Sequence, residues 1–268
     1  MRTHASGPDD SKVAASGSDF VQSLERGLAV IQAFSATSPR LTLSDVARAT
    51  GLTRAAARRF LLTLQQLGFV DSNDREFFLT PRILQLGYTY LSSTPFWDLS
   101  QNHIEELVER LHESSSMSVL DRDEVVYVAR VPTKRIMTIS LAVGSRLPAY
   151  PTSMGRVLLA GLTDEQIDAY LARVSLAPLT SRTVTDPVAL RAILLEVREQ
   201  GWAMVDQELE DGVRSVAAPL YAANGKVLGA VNVSAHATRT NLDALRRQFR
   251  PALLDTTARI NDDLSRRR

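Results

Sequence analysis

The chain has 268 residues, enough for about two domains, and its 44% hydrophobic and 23% charged residues are ordinary for a globular protein with a full core. It contains no cysteine, which excludes disulfides and thiolate metal sites and is compatible with a reducing cytoplasm; its four histidines, His4, His103, His112 and His236, are scattered. With 31 Lys+Arg against 30 Asp+Glu the whole is nearly neutral, so any strongly charged surface must be a local arrangement.

Residues 1–19 are small, polar and rich in Gly and Ser, which predicts a disordered tail and offers no apolar core for a signal peptide. No stretch approaches the roughly 20 apolar residues of a membrane span, so the chain reads as soluble and intracellular, with no membrane partner. From Phe20 to Phe34, Val21, Leu24, Leu28 and Ile31 recur at three- and four-residue spacing, an amphipathic helix that Pro39 punctuates. In LTLSDVARATGL, Thr42 and Asp45 form a T-x-x-D capping pair for a short helix whose inward face is Val46 and Ala47, and Gly51 ends it.

Thr53 can then N-cap a second helix running to Gly68, a plausible C′ terminator. Ala57, Phe60, Leu61, Leu64 and Leu67 share one face of it, while Arg54 and Arg58 lie one turn apart on another. Between Asp45 and Asp71 there is no acidic residue, yet Arg48, Arg54, Arg58 and Arg59 are present. That is what a polyanion-binding surface requires, because a carboxylate there would repel phosphates and forfeit counterion release. FVDSNDREFFLT alternates on both sides of Asn73-Asp74 and predicts a β-hairpin.

Two short helices with a glycine turn, followed by a hairpin, make a winged helix-turn-helix over residues 20–80. On this reading Thr53, Arg54, Ala55, Arg58 and Arg59 occupy the first turns of the recognition helix and enter the major groove of double-stranded operator DNA. There an arginine can donate bidentately to guanine and small side chains permit close approach. Thr42 and the hairpin-tip Arg75 join them as DNA contacts, Arg75 as a phosphate ligand.

A helix from Pro81 to Leu91, broken at Ser92-Ser93-Thr94-Pro95, predicts a linker over residues 81–97. The remainder, 98–268, opens with an amphipathic helix from Leu99 to Leu111. Strand-like runs follow at Met117–Leu120, Val125–Val131 and Ile136–Leu141, then helices at Ser153, Thr163–Val174 and Pro187–Gln200. Strands return at Trp202–Asp206, Ser215–Tyr221 and Val227–Ala235, the last two turned by Asn224-Gly225, before a final helix from Asn241 to Leu264. Strands flanked by helices predict an α+β domain with a mostly antiparallel sheet.

SLERGLAVIQAF, LTLSDVARATGL, the basic helix, SMGRVLLA and GWAMVDQELEDGVRSVAAPLYAANGKVLGAVNVSAH together resemble the IclR family of bacterial transcription regulators, over roughly Phe20 to the C-terminus. RIMTISLAVGSRLPAYPTSMGRVLLA is most similar to the subgroup governing aromatic-acid breakdown through the β-ketoadipate pathway, whose effectors are protocatechuate, 4-hydroxybenzoate or β-ketoadipate. The resemblance implies a winged helix-turn-helix, a linker helix and a C-terminal GAF-like effector domain, in a homodimer or tetramer acting as repressor or activator.

It also implies an effector pocket at Ser153, Met154 and Gly155, where helix-start N–H groups can receive a carboxylate, together with Asp206, Ser215, Asn232 and Ser234. Asn232 and Ser234 alternate with Val231 and Val233, so they share one strand face. Arg146 is the nearest cation in sequence apart from Arg156, with Leu147, Tyr150 and Met154 as apolar walls. Trp202 stands where the family more often has a smaller aromatic, narrowing the pocket or filling the core.

Two rival classes fare worse. An enzyme using the carboxylates Asp206 and Glu208 would be expected to show a paired-histidine, metal-ligand or nucleophile-elbow motif, and none occurs; that cluster reads better as a loop ordered around Arg214, with no cofactor and no metal. A constitutive architectural DNA binder would not need some 170 residues beyond its winged helix. Leu84, Leu86 and Tyr90 in the linker are the residues expected to meet a partner chain.

Overall fold

The computed structural model describes residues 19–93, 96–133 and 141–266. The expected tail lies outside the described residues apart from Asp19, and so does the strand expected over Ile136–Leu141 apart from Leu141, which is not in a strand. The chain divides into two compact units, Met1–Tyr90 and Leu91–Arg268.

In the first unit, α1 (Gln22–Gln32), α2 (Leu43–Thr50) and α3 (Arg54–Gln66) pack around Val30, Phe34, Val46, Ala47, Ala57, Leu61 and Leu64. A three-stranded antiparallel sheet, β1 (Leu41–Thr42), β2 (Val70–Asn73) and β3 (Glu76–Leu79) in the order β1-β3-β2, closes the core through Val70. Local chemistry sets the helix ends. Thr42 and Asp45 form a reciprocal capping box at the start of α2, and the Thr53 hydroxyl accepts from the Ala56 N–H at the start of α3 (3.2 Å).

The end of α3 is a Schellman turn: the Gly68 N–H reaches the Gln65 carbonyl and the Phe69 N–H the Leu64 carbonyl, both at 2.9 Å. Gly68 has φ 78°, the left-handed backbone that a side chain would disfavour. The hairpin pairs Asn73 with Glu76, so its two-residue turn is Asp74-Arg75, one residue beyond the Asn73-Asp74 expected. A 3₁₀ turn, Pro81–Ile83, leads into α4 (Leu84–Ser92), which has no buried residue.

The second unit opens with α5 (Phe96–Leu111), three residues earlier than expected. Its six antiparallel strands are β4 (Ser114–Asp121), β5 (Glu124–Val131), β6 (Arg146–Pro148), β7 (Ala203–Asp206), β8 (Val213–Tyr221) and β9 (Val227–His236), in the order β6-β5-β4-β9-β8-β7. Between β6 and β7 lie α6 (Ser153–Ala160), α7 (Asp164–Arg173) and α8 (Pro187–Gln200).

The sheet has a core on each face. Met117, Val128, Ala129, Val216, Val231 and Val233 pack with Ile104 and Leu107 of α5 and with Leu253 and Ile260 of α10 (Arg250–Arg266). Val125, Tyr127, Ala217 and Ala230 pack on the other side with Met154, Val157 and Leu159 of α6 and with Leu190 and Leu194 of α8. The long C-terminal helix expected as one element is instead α9 (Leu242–Ala244), a π turn at Leu245–Phe249, and α10. Pro251 is the second residue of α10; lacking an N–H and clashing with the carbonyl four residues back, it is accommodated by the wider turn before it. The result is an α+β chain, a winged helix-turn-helix followed by a GAF-like domain.

Candidate nucleic-acid interface and effector cavity

Thr53, Arg54, Ala55, Arg58 and Arg59 are all exposed, and Arg75 sits on the hairpin turn, also exposed. Among the described residues, none of Arg54, Arg58, Arg59 and Arg75 has an ion pair, whereas Arg48 is held 3.3 Å from Asp45. The arginines of α3 are not equivalent. At 100° per residue, Arg54 and Arg58 lie about 40° apart, and Arg59 is turned a further ~100° away. Arg59 joins Ala56, Phe60 and Thr63 in a cleft whose other wall is Gln22, Ser23 and Arg26 of α1.

Thr42, expected both as a helix cap and as a DNA contact, is engaged in the cap. Its hydroxyl donates to Asp45 Oδ2 (2.6 Å) and accepts from the Asp45 N–H (3.3 Å), so it is committed to the helix cap. That hydrogen bond, first among its causes, holds the Asp45 carboxyl below the usual range.

In the second unit, four of the expected effector residues converge: Ser153, Ser215, Asn232 and Ser234 line one cavity with Tyr127, Arg130, Leu141, Pro151, Thr152, Val205, Leu209 and Val213. Its polar groups are ordered among themselves. The Ser153 hydroxyl donates to Ser215 Oγ (2.8 Å), leaving the Ser215 O–H to point elsewhere. Asn232 accepts from the Ser116 N–H (3.1 Å) through Oδ1 and donates to Ser234 Oγ (2.9 Å) through Nδ2. The cavity is small, about 40 Å³.

Two lining residues were not singled out by sequence reasoning, Tyr127 and Arg130, three apart on β5. Strict alternation would put them on opposite faces. A β-bulge intervenes: Met117 pairs with Ala129 and Ser118 with Tyr127, so Val128 has no partner. Val128 and Ala129 both enter the α5–α10 core, and Tyr127 and Arg130 both line the cavity on the other face. Burial pushes the Tyr127 phenol up to about 12, with the Arg130 charge opposing it, and desolvation lowers Arg130 from its ordinary value. Arg130 Nη1 donates to Ser116 Oγ (3.3 Å). The available signal was the alternation Ser114, Ser116, Ser118, a polar face on a buried strand.

Five expected effector residues lie elsewhere. Arg146 pairs across the ladder with Val126, which alternates with Val125 and Tyr127 and therefore faces away from the cavity. Its guanidinium is held by Glu124 (2.6 Å) and Asp121 (2.7 Å), and those two hydrogen bonds raise it from its ordinary value. Leu147 packs at the edge of the α6–α8 core. Met154 is buried in that core, with Sδ accepting from the Ser118 hydroxyl (3.2 Å). Gly155 lies against the Ala149 backbone.

Asp206 is clamped between Arg182 (2.5 Å) and Arg214. Burial pushes its carboxyl up, but hydrogen bonds from Arg214 and Gln207 and the two arginine charges outweigh this and leave it below the usual range. Arg214 thus orders Asp206, while Glu208 is held by the buried Arg156 (2.5 Å). Both carboxylates of the rival acid–base reading are occupied in ion pairs. Among the described residues no group of three or more His, Asp or Glu could hold a metal. Trp202 does not line the cavity; it packs at the margin of the α5–α10 core under Arg250, 4.9 Å from the ring centroid.

A basic, unpaired helix in a winged helix-turn-helix, followed in the same chain by an α+β domain with a polar-lined cavity, defines a ligand-responsive transcription regulator. Family models agree: the IclR helix-turn-helix domain matches residues 23–74 and the C-terminal domain of bacterial transcriptional regulator IclR matches residues 88–262. The chain belongs to the IclR family.

It is 47% identical to the Pca regulon regulatory protein of Pseudomonas putida, over 88% of this chain and 81% of that one. A crystal structure of a transcriptional regulator from Rhodococcus sp. RHA1 superposes with TM-score 0.84 at 54% identity, covering 92% of this chain and 99% of that one. The inducer-binding domain of an Acinetobacter PobR transcription factor, a double mutant in complex with 3-hydroxybenzoic acid, matches at TM-score 0.58 and 30% identity, over 61% of this chain and 96% of that one.

Proposed function

We propose that this regulator controls genes of aromatic-acid catabolism, with a small aromatic or β-ketoadipate-like carboxylate altering its hold on operator DNA. The carrying observation is the convergence of Ser153, Ser215, Asn232 and Ser234 on one cavity. A buried polar cluster of this kind is stabilised by a polar ligand, and the apolar wall of Val205, Leu209 and Val213 suits a ring or an alkyl chain. The likeness to a Pca regulon regulator and to an inducer domain bound to a hydroxybenzoic acid supports that class.

Residues 20–80 bind DNA as a winged helix-turn-helix, 81–97 link, and 98–268 bind effector and oligomerise. Arg54 and Arg58 read bases with Thr53 and Ala55 beside them; Arg59 and Arg75 hold phosphates. The protein works as a homo-oligomer in the cytoplasm and turns over no substrate; no described helix is long and apolar enough to cross a membrane.

Two measurements test this. In a mobility-shift titration, Arg58→Ala weakens operator binding by about 1–3 kcal/mol and relaxes preference at one base position. Arg59→Ala instead weakens specific and non-specific DNA alike and flattens the salt dependence. Equal affinity of Arg58→Ala and the parent for the operator and its variants removes Arg58 from base reading. Thermal denaturation with protocatechuate, 4-hydroxybenzoate and β-ketoadipate gives an upward shift for at least one, about 2.7 kcal/mol at 100 times its dissociation constant. Ser215→Ala reduces that shift. If none of the three shifts the parent protein, the aromatic-acid assignment fails.

A further inference from the structure

The bulge at Val128 creates a pairing that no regular strand would: Tyr127 and Arg130, three residues apart, enter the same cavity. Both are incompletely used by the protein. Arg130 spends one N–H on Ser116 Oγ, and no carboxylate among the described residues pairs with its guanidinium. The backbone of Tyr127 is tied down, its N–H donating to the Ser145 carbonyl (2.9 Å) and its own carbonyl accepting from Gly144 (2.8 Å). Its phenolic hydroxyl, on a residue only 5% exposed, has no hydrogen-bond partner among the described residues. A phenolic hydroxyl open to the cavity beside a partly desolvated guanidinium offers two donors, and one carboxylate matches both.

Resting on the effector reading above, we propose that Tyr127 and Arg130 together form the receptor for the effector's carboxylate: the Tyr127 O–H donates to one oxygen and the Arg130 guanidinium to the other. The phenol stays protonated throughout the physiological range, because burial has raised it far above neutrality, so it is a permanent donor. The hydroxyls of Ser215 and Ser234 then face the opposite, oxygenated end of the ligand. On this account the cavity selects the acid against its neutral analogues. An uncharged amide presents a donor NH₂ and one acceptor, and cannot satisfy both side chains.

The test compares the dissociation constants of protocatechuate, 4-hydroxybenzoate and β-ketoadipate with those of their carboxamides, by calorimetry on the full chain. The expected result for the parent protein is an acid preferred over its amide by about 10–100-fold, the range for a hydrogen bond to a charged group. Tyr127→Phe and Arg130→Gln each lower acid affinity by about tenfold or more and shrink that preference, with amide binding little changed. Arg146→Gln, outside the cavity, keeps both, and ligand-free melting curves establish that each variant is folded. If Tyr127→Phe and Arg130→Gln retain the parent's preference for the acid, the receptor assignment is overturned while the effector site stands. If the parent binds neither acids nor amides, the effector reading itself falls and takes the receptor with it.

Discussion

A single methyl group would disturb the start of α6. An ideal Cβ built on Gly155 comes within 2.0 Å of the Ala149 carbonyl oxygen, backbone that no side-chain rotation can move. The glycine is there for close approach, since its helical backbone would suit any residue. Gly155→Ala must push α6 away from the Ala149–Thr152 turn, and Ser153, whose hydroxyl meets Ser215 in the cavity, moves with it. Overpacking of this kind costs about 1–3 kcal/mol. The expected outcome is a melting temperature several degrees lower and a weaker effector response, both read by thermal denaturation with and without ligand. An unchanged melting temperature would mean that the contact is relieved without strain. Gly155 therefore bears on the proposed effector cavity through packing, although it does not line it.

At the scale of elements, what the sequence made legible was what neighbours in the chain decide. The caps of α2 and α3 depend on Thr42, Asp45 and Thr53 acting within three residues, and each helix begins where those residues predict. The hairpin was visible from its alternation, but its turn falls on Asp74-Arg75, because cross-strand pairing of Asn73 with Glu76 sets the register. Strand β6 went unseen: its three residues end on Pro148 and give no alternation to read.

The candidate site shows the same division. Asn232 and Ser234 were placed on one face by simple parity, and they do share the cavity. Tyr127 and Arg130 could not be, since a bulge inverts parity and is fixed by long-range pairing of β5 with β4. Arg146 erred the other way. It is close to Ser153 in sequence, but the ladder turns it to the opposite face, where Asp121 and Glu124 hold it. The π turn at Leu245–Phe249 that interrupts the final helix is likewise local in cause, and Pro251 just beyond it was its readable signal.

At the scale of the whole molecule, two helices present large apolar side chains to solvent. On α4, Leu84, Leu86, Tyr88 and Tyr90 are all exposed, Leu84 by 71% and Tyr88 by 70%, and no residue of that helix is buried. On α1, Leu24 and Leu28 are exposed as well, as are Phe20 and Val21 just before it, while its opposite face supplies Val30 to the core of the first unit. A nine-residue helix gains little from intrinsic propensity, and among the described residues of α4 Leu91 alone packs against a core, so burial of its other apolar side chains would stabilise it. Operator recognition makes the same demand, because one recognition helix reads too few base pairs and two-fold pairing is the usual solution.

We expect α4 to pack against a second copy of the chain. The double substitution Leu84→Glu and Tyr88→Glu alters only exposed side chains, so it preserves the folded units but places charge in that contact. Sedimentation velocity should resolve the parent as a dimer or larger and the variant as a monomer. Operator affinity should fall by roughly 10²–10⁴, the advantage of linking two binding events. A parent protein that sediments as a monomer at micromolar concentration, yet binds its operator tightly, would show that one winged helix suffices and that these apolar side chains serve another purpose.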